Sequence, residues 1–273
     1  MSPRSHSSPS SSTALHSRLS LQFCSSSGYS SPSPSPSSRK GRFSITAHAA
    51  LQAVLFDMDG TFADTEPVWL ASEASYVQKR GKEWGVEDAL ELVGGSALAT
   101  TTKLIEKTGS ADTHDEVFAY LLDYLMRTIE AGEVKMRPGA LELALELKEA
   151  GVPIALVTSS VRPMVEAMLK HVPAGLFDAV VTADDVASHK PSPEPYLLAM
   201  KLLGVEPSGC VVLEDSMAGV TSGLAAGAAV VAIPCVAEIE EREGLNWVES
   251  AAHLDLDLLG EIVAGRRVDY RSV

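Results

Sequence analysis

The chain has 273 residues and only three cysteines, Cys24, Cys210 and Cys235. An odd, widely spaced set supplies neither a disulfide framework nor a C-x-x-C metal pair, and it points to a reducing compartment. No apolar run approaches the ~18 residues needed to span a bilayer, so a membrane protein is not expected. Acidic residues are missing from positions 1–50, and basic ones are scarce in the rest. The whole chain carries 22 Lys+Arg against 36 Asp+Glu, a formal charge of −14. Setting aside Arg4, Arg18, Arg39, Lys40 and Arg42 leaves residues 51–273 with 17 basic against 36 acidic groups, or −19. Nucleic acid is a poor partner for such a body, because a phosphate backbone needs Lys and Arg to neutralise it. The balance suits a protein whose field is offset locally by a metal cation.

What the first 50 residues do contain is 19 Ser and 5 Pro. Large apolar side chains are few and show no periodicity, so nothing there offsets the entropy of ordering. Residues 1–48 therefore read as a disordered segment with the composition of an organelle transit peptide: Ser-rich, Arg-containing and acid-free, with an acidic globular body directly after it. Cleavage is expected near 47–51. The Ser and Pro richness favours chloroplast over mitochondrion; a cytoplasmic protein with a solvated tail is the other alternative. A secretory signal is not expected, since no apolar core of roughly 7–15 residues follows the first Arg.

The body reads as α/β. Leu51-Gln52-Ala53-Val54-Leu55-Phe56 is a short apolar run that ends at Asp57, as a buried strand does. Comparable runs lie at 152–157, 179–182, 210–213 and 228–233, with helical patterns at 140–150, 164–170, 195–203 and 217–226 between them. Alternation of this kind implies a parallel sheet covered on both faces. The rhythm breaks once, because 66–132 is helical by pattern (68–80, 87–92, 97–107 and 115–129). The organisation expected is a Rossmann-like core over 49–65 and 134–273, with a small helical cap at 66–133 inserted after the first strand. The connectors 61–66 and 133–138 would be its hinges. Gly94-Gly95-Ser96 is expected to start a cap helix, the acidic run at 238–243 to be a solvated helix face, and the Gly219, Gly223, Gly227 spacing to let one helix pack closely on the sheet. The compact body suggests a monomer.

Ligands of open parallel sheets bind at the carboxyl ends of the strands. Those ends carry Asp57-Met58-Asp59-Gly60-Thr61, Thr158-Ser159-Ser160 and Glu214-Asp215-Ser216, and Lys190 precedes Pro191-Ser192-Pro193 at a helix start. Carboxylates converging on one rim repel each other unless a cation sits among them. All-oxygen ligands suit Mg²⁺. A cation beside Lys190 and Thr158 makes a phosphate site. One carboxylate can then attack phosphorus, while a second acid two residues on protonates the leaving oxygen and later activates water.

These four segments resemble, in order and spacing over roughly 51–240, the four motifs of the haloacid dehalogenase-like hydrolase superfamily. The cap position, with Asp64-Thr65-Glu66 and Arg137-Pro138-Gly139 flanking it, resembles the group that includes β-phosphoglucomutase-like and phosphoglycolate-phosphatase-like proteins. The resemblance implies an Mg²⁺-dependent phosphoric monoester hydrolase acting on a small phosphorylated metabolite. It makes Asp57 the nucleophile and a metal ligand. Asp59 becomes the acid/base and lends its backbone carbonyl to the metal. Asp215 becomes a ligand, with Glu214 ligating directly or through water, and Thr158, Ser159 and Lys190 hold the phosphate. Two departures bear on the reaction. β-Phosphoglucomutase carries a His where this chain has Trp69 and an Arg where it has Ala97. Hydrolysis is therefore expected before isomerisation, with a phosphosugar mutase as the alternative and a phospho-acceptor sensor without turnover as a more distant one.

Overall fold

The structure is a computed structural model that describes residues 50–92, 97–236 and 238–271. The expected transit segment and Gly94-Gly95-Ser96 lie outside the described residues. Seven strands form one parallel sheet in the order β3-β2-β1-β4-β5-β6-β7. They are β1 Ala53–Phe56, β2 Ile154–Val157, β3 Ala179–Val181, β4 Cys210–Glu214, β5 Ala229–Ala232, β6 Leu245–Val248 and β7 Asp269–Tyr270. The expected α/β core is present. Short Val/Ala/Leu runs become central strands because both faces are covered, so every side chain of β1, β2 and β4 is buried. Among the described residues no helix is long and apolar enough to cross a membrane.

Between β1 and β2 run α1 Glu66–Gln78, α2 Val86–Leu90, α3 Ala97–Thr108 and α4 His114–Glu130. The chain divides into two compact units, one comprising Pro67–Leu125 among the described residues, the other the sheet and its flanking helices. The helical unit has a core of its own, with Leu70, Tyr76, Val77, Leu104, Val117 and Leu121 buried. Its polar anchor is Asp112, which accepts a hydrogen bond from Tyr76 Oη at 2.8 Å and pairs with Arg80. The Arg80 guanidinium in turn lies 3.5 Å from the centre of the Tyr76 ring.

In the sheet unit, α5 Ala140–Glu149 leads into β2, and α6 Arg162–Leu169, α7 Glu194–Leu203, α8 Met217–Ala225 and α9 Leu256–Val263 come after β2, β3, β4 and β6. The strands β6 and β7 and the helix α9 extend the fold beyond the sequence expectation. β6 reads Leu-Asn-Trp-Val and β7 has two residues, so neither presents a recognisable apolar run. The 238–243 segment is not the expected helix: its described residues form an irregular, mostly exposed loop. Four acids in six residues repel one another along a helix, and Ile239, the single apolar side chain there, packs against the core without making an apolar stripe. The two expected hinge connectors are paired with each other: Asp64 N donates to Lys135 O at 2.8 Å and Arg137 N to Phe62 O at 2.9 Å. Phe62 is buried edge-on against Phe56 and Phe177, with centroids 5.9 and 5.1 Å away.

Register brings the strand ends level. Phe56 lies opposite Leu156 of β2 and Leu213 of β4. The residues immediately after β1 and β2 and the last residue of β4 therefore share one edge. The chain leaves β1 towards β2 and β3, then returns to β4 on the other side of β1, so this edge is also where the winding reverses.

Gly139 starts α5 with φ 79°, and a Cβ there would lie 2.1 Å from the backbone N of Ala252. Gly175 has φ 72° but open space around it. Gly175→Ala should cost only the left-handed strain of about 1–2 kcal/mol, and Gly139→Ala should cost clearly more because backbone must move. Equal urea midpoints for the two variants would refute this packing.

Candidate active site

Asp57 follows β1 directly and is 7% exposed. Its Oδ1 accepts a hydrogen bond from Lys190 Nζ at 2.6 Å. The same ammonium donates to Glu214 Oε1 at 2.7 Å and to the Val157 carbonyl at 2.8 Å. Three protons thus meet three acceptors, one from each of β2 and β4 and one just beyond β1. The loop that delivers Lys190 is tied down locally. Glu194 accepts from the backbone N–H groups of Ala187 and Ser188, both at 2.9 Å, and Ser222 Oγ donates to the Ser192 carbonyl at 2.5 Å.

Glu214 is fully buried. Besides Lys190, its Oε1 accepts from Tyr196 Oη at 2.8 Å, and its Oε2 accepts from the backbone N of Asp215 and Ser216 and from Ser216 Oγ. All the lone pairs of this carboxylate are therefore engaged within the protein. Gly219 leaves room for it, since a Cβ there would fall 1.7 Å from Oε1. Of the three spaced glycines, Gly223 fits the sheet-packing expectation, its absent Cβ facing Val230 and Val212 at 3.0–3.1 Å, whereas Gly219 accommodates a site carboxylate.

Asp59 is held by three hydroxyls: Thr65 Oγ1 at 2.8 Å on Oδ1, and Ser160 Oγ at 2.6 Å and Thr158 Oγ1 at 3.1 Å on Oδ2. Gly60, with φ 81°, turns the chain away after Asp59; a Cβ there would strike Asp215 Oδ2 at 2.1 Å. Asp215 accepts from Thr61 Oγ1 at 3.3 Å. Ser159 is exposed beside Thr158, and no hydrogen bond joins its hydroxyl to these groups among the described residues. Ser160, Thr65 and Tyr196 are contributors that sequence reasoning did not single out. Ser160 and Thr65 sit inside the segments already noted, but Tyr196 has no sequence signal, being one aromatic within an amphipathic helix.

Asp57, Glu214 and Asp215 each place a carboxylate oxygen within 4.8 Å of the others. Burial, together with Glu214 and Asp59, pushes the Asp57 carboxyl up to about 8 despite Lys190. Asp215 is raised as well, by burial and then by Asp57, Glu214 and Asp59. Burial opposes the charge on Lys190, but Asp57 and Glu214 outweigh it and keep the ammonium protonated. Four acids around one Lys leave an excess of negative charge, and the oxygen-only donor set fits a hard divalent cation.

A carboxyl raised in the folded state holds a proton that the unfolded chain has released, so stability falls as pH climbs from about 4 to about 8. Metal-free protein should unfold at lower urea at pH 8 than at pH 5.5, and Asp57→Asn should flatten that slope. A midpoint that rises with pH would contradict the crowding described.

The chain is similar to known proteins. Residues 54–233 match the haloacid dehalogenase-like hydrolase family. Hexitol phosphatase A of Escherichia coli is 35% identical over 201 residues, covering 73% of this chain and 89% of that protein. The bifunctional riboflavin kinase/FMN phosphatase of Arabidopsis thaliana is 34% identical over 183 residues, but the match covers 66% of this chain and only 48% of that longer protein. A variant of CbbY from Rhodobacter sphaeroides, solved with xylulose-(1,5)bisphosphate, superposes with TM-score 0.63 at 28% identity, covering 75% of this chain and 96% of that one. With the motifs, the switch-point rim and the helical insertion after the first strand all in place, the chain belongs to the haloacid dehalogenase-like hydrolase family, in the group with a helical cap after β1.

Proposed function

We propose that this phosphoric monoester hydrolase is Mg²⁺-dependent, releases phosphate from a small sugar phosphate or related metabolite, and works through an aspartyl-phosphate on Asp57. The observation that carries the reading is the Lys190 ammonium pinning Asp57 Oδ1 in a buried acidic rim. The second oxygen of Asp57 is the attacking atom. Lys190 keeps the carboxylate oriented and favours its charged form against burial, and Glu214, with Tyr196, keeps Lys190 in place. Asp59, oriented by Thr65, Thr158 and Ser160, protonates the leaving oxygen and then takes a proton from the water that opens the acyl-phosphate. Thr158, Ser159 and Lys190 surround the phosphoryl oxygens. Mg²⁺, if held by Asp57, the Asp59 carbonyl and Asp215, would offset charge between the rim and the phosphate, while Glu214, with its oxygens already engaged, would stand behind them as the anchor of Lys190 rather than as a ligand. A relative named as a hexitol phosphatase and a neighbour solved in complex with xylulose-(1,5)bisphosphate support the substrate class. Trp69 and Ala97, in place of the groups that the resemblance associates with isomerisation, favour release to water over a mutase reaction.

Asp57→Asn should lower kcat on a sugar-phosphate panel by on the order of 10⁴ or more, and Asp59→Asn by about 10²–10⁴. Phosphate release should stop in EDTA and return with Mg²⁺. Full turnover by Asp57→Asn would overturn the nucleophile assignment, and conversion of a hexose 1-phosphate to its 6-phosphate without phosphate release would establish the mutase.

We further propose delivery to the chloroplast by residues 1–48, on the Ser-rich, acid-free composition alone. A fluorescent protein fused behind residues 1–55 should enter plastids, whereas cytosolic or mitochondrial signal would refute this destination.

A further inference from the structure

After Lys201 the chain carries only four basic residues, Arg242, Arg266, Arg267 and Arg271. Three of them, all but Arg266, line one cavity of about 320 Å³ at the β6–β7 edge of the sheet, two strands away from β4 and its catalytic rim. In a body with a charge of −19 such grouping is against the average, and it gathers cations where the sheet ends.

The cavity floor is Trp247, Leu245 and Val268, joined by backbone pairing between Trp247 N and Val268 O at 2.9 Å. The Arg271 guanidinium sits 4.4 Å from the centre of the Trp247 ring and pairs with Glu241 and Asp269. Those two acids are the anionic groups of the lining, and Arg271 is bonded to both. Arg242 spends one N–H on Thr221 Oγ1 at 3.1 Å. Arg267 Nη1 lies over the turn at Gly244, 3.7 Å from where a Cβ would stand. Neither Arg242 nor Arg267 is paired with an acid among the described residues. Three arginines against two acids leave the cavity positive, with two guanidinium groups that have hydrogen-bond donors to offer. Planar forks of this kind match phosphate oxygens two at a time, and the volume lies at the lower end of small-ligand pockets.

We propose that this cavity is an accessory anion site that takes the phosphate groups of a small phosphorylated molecule, separate from the site of hydrolysis. Arg242 and Arg267 hold the dianion, and Arg271, braced by Glu241, Asp269 and the Trp247 ring, forms the third wall. An occupant would add a second bridge between the 241–244 turn and the segment at 267–271, beside the Arg271–Glu241 pair that already joins them. Because β6 pairs with β5, and β5 with β4, occupancy is placed to stiffen the side of the sheet that carries Glu214.

The test is calorimetric titration of the full chain with pyrophosphate in EDTA, where the uncompensated acidic rim repels anions. Saturable binding near one equivalent is expected, with a change in tryptophan emission from Trp247. Arg242→Gln/Arg267→Gln should weaken it at least about tenfold while leaving kcat on a phosphomonoester with Mg²⁺ unchanged. If the double variant loses its folded circular dichroism, Arg267→Gln alone serves, with the same direction of change. Unaltered affinity in the variant, heat that rises without saturation, or an equal response to malonate at matched ionic strength would each overturn the proposal.

Discussion

A single buried ammonium organises the catalytic rim. Lys190 sits between Asp57 and Glu214 with its side chain 5% exposed, and it also donates to the Val157 carbonyl. Taking these ions out of water costs several kcal/mol each, so the arrangement persists only because every proton and nearly every lone pair has a partner. The sheet supplies that completeness. β1, β2 and β4 present their ends level, and the loop bearing Lys190 is tied to the start of α7 by Glu194 and to the body of α8 by Ser222. Remove the ammonium and two carboxylates face each other in a dry pocket. Remove Glu214 and the ammonium loses the partner that fixes its reach.

The same constraint divides labour among the acids. Glu214 is saturated by five hydrogen bonds and acts as the anchor of Lys190. Asp59 is turned towards hydroxyls, which leave its two oxygens oriented and able to exchange a proton. Asp57 and Asp215 are the strained pair: burial and their acidic neighbours raise both. That electrostatic excess is what a divalent ion would relieve. Gly60 and Gly219 belong to the same economy of space, because a methyl group at either position would occupy a carboxylate.

Much of this was legible in the sequence. Apolar runs ending in Asp57, Thr158 and Glu214 marked strands whose tips carry chemistry, and a long helical stretch between the first two marked an insertion. The family motifs added Lys190 and the order of the parts. What failed to show was of two kinds. β6 and β7 were hidden because β6, though buried, is four residues long and interrupted by Asn246, and the edge strand β7 has only two exposed residues. The acidic loop at 238–243 mimicked a helix face by composition, though repulsion along it and the lack of an apolar stripe kept it irregular.

The sequence by itself determined the class of fold, the residues at the strand tips and the chemistry open to oxygen ligands beside a lysine, since these depend on local pattern and residue type. Only the tertiary structure decided that Ser160 and Thr65 orient Asp59, that Tyr196 completes Glu214, and that Arg242, Arg267 and Arg271 meet across the β6–β7 edge. Those contacts, some between residues as far apart as Asp59 and Ser160 and some local, depend on side-chain directions that register and packing set. No periodicity in the letters records where a hydroxyl or a guanidinium will point.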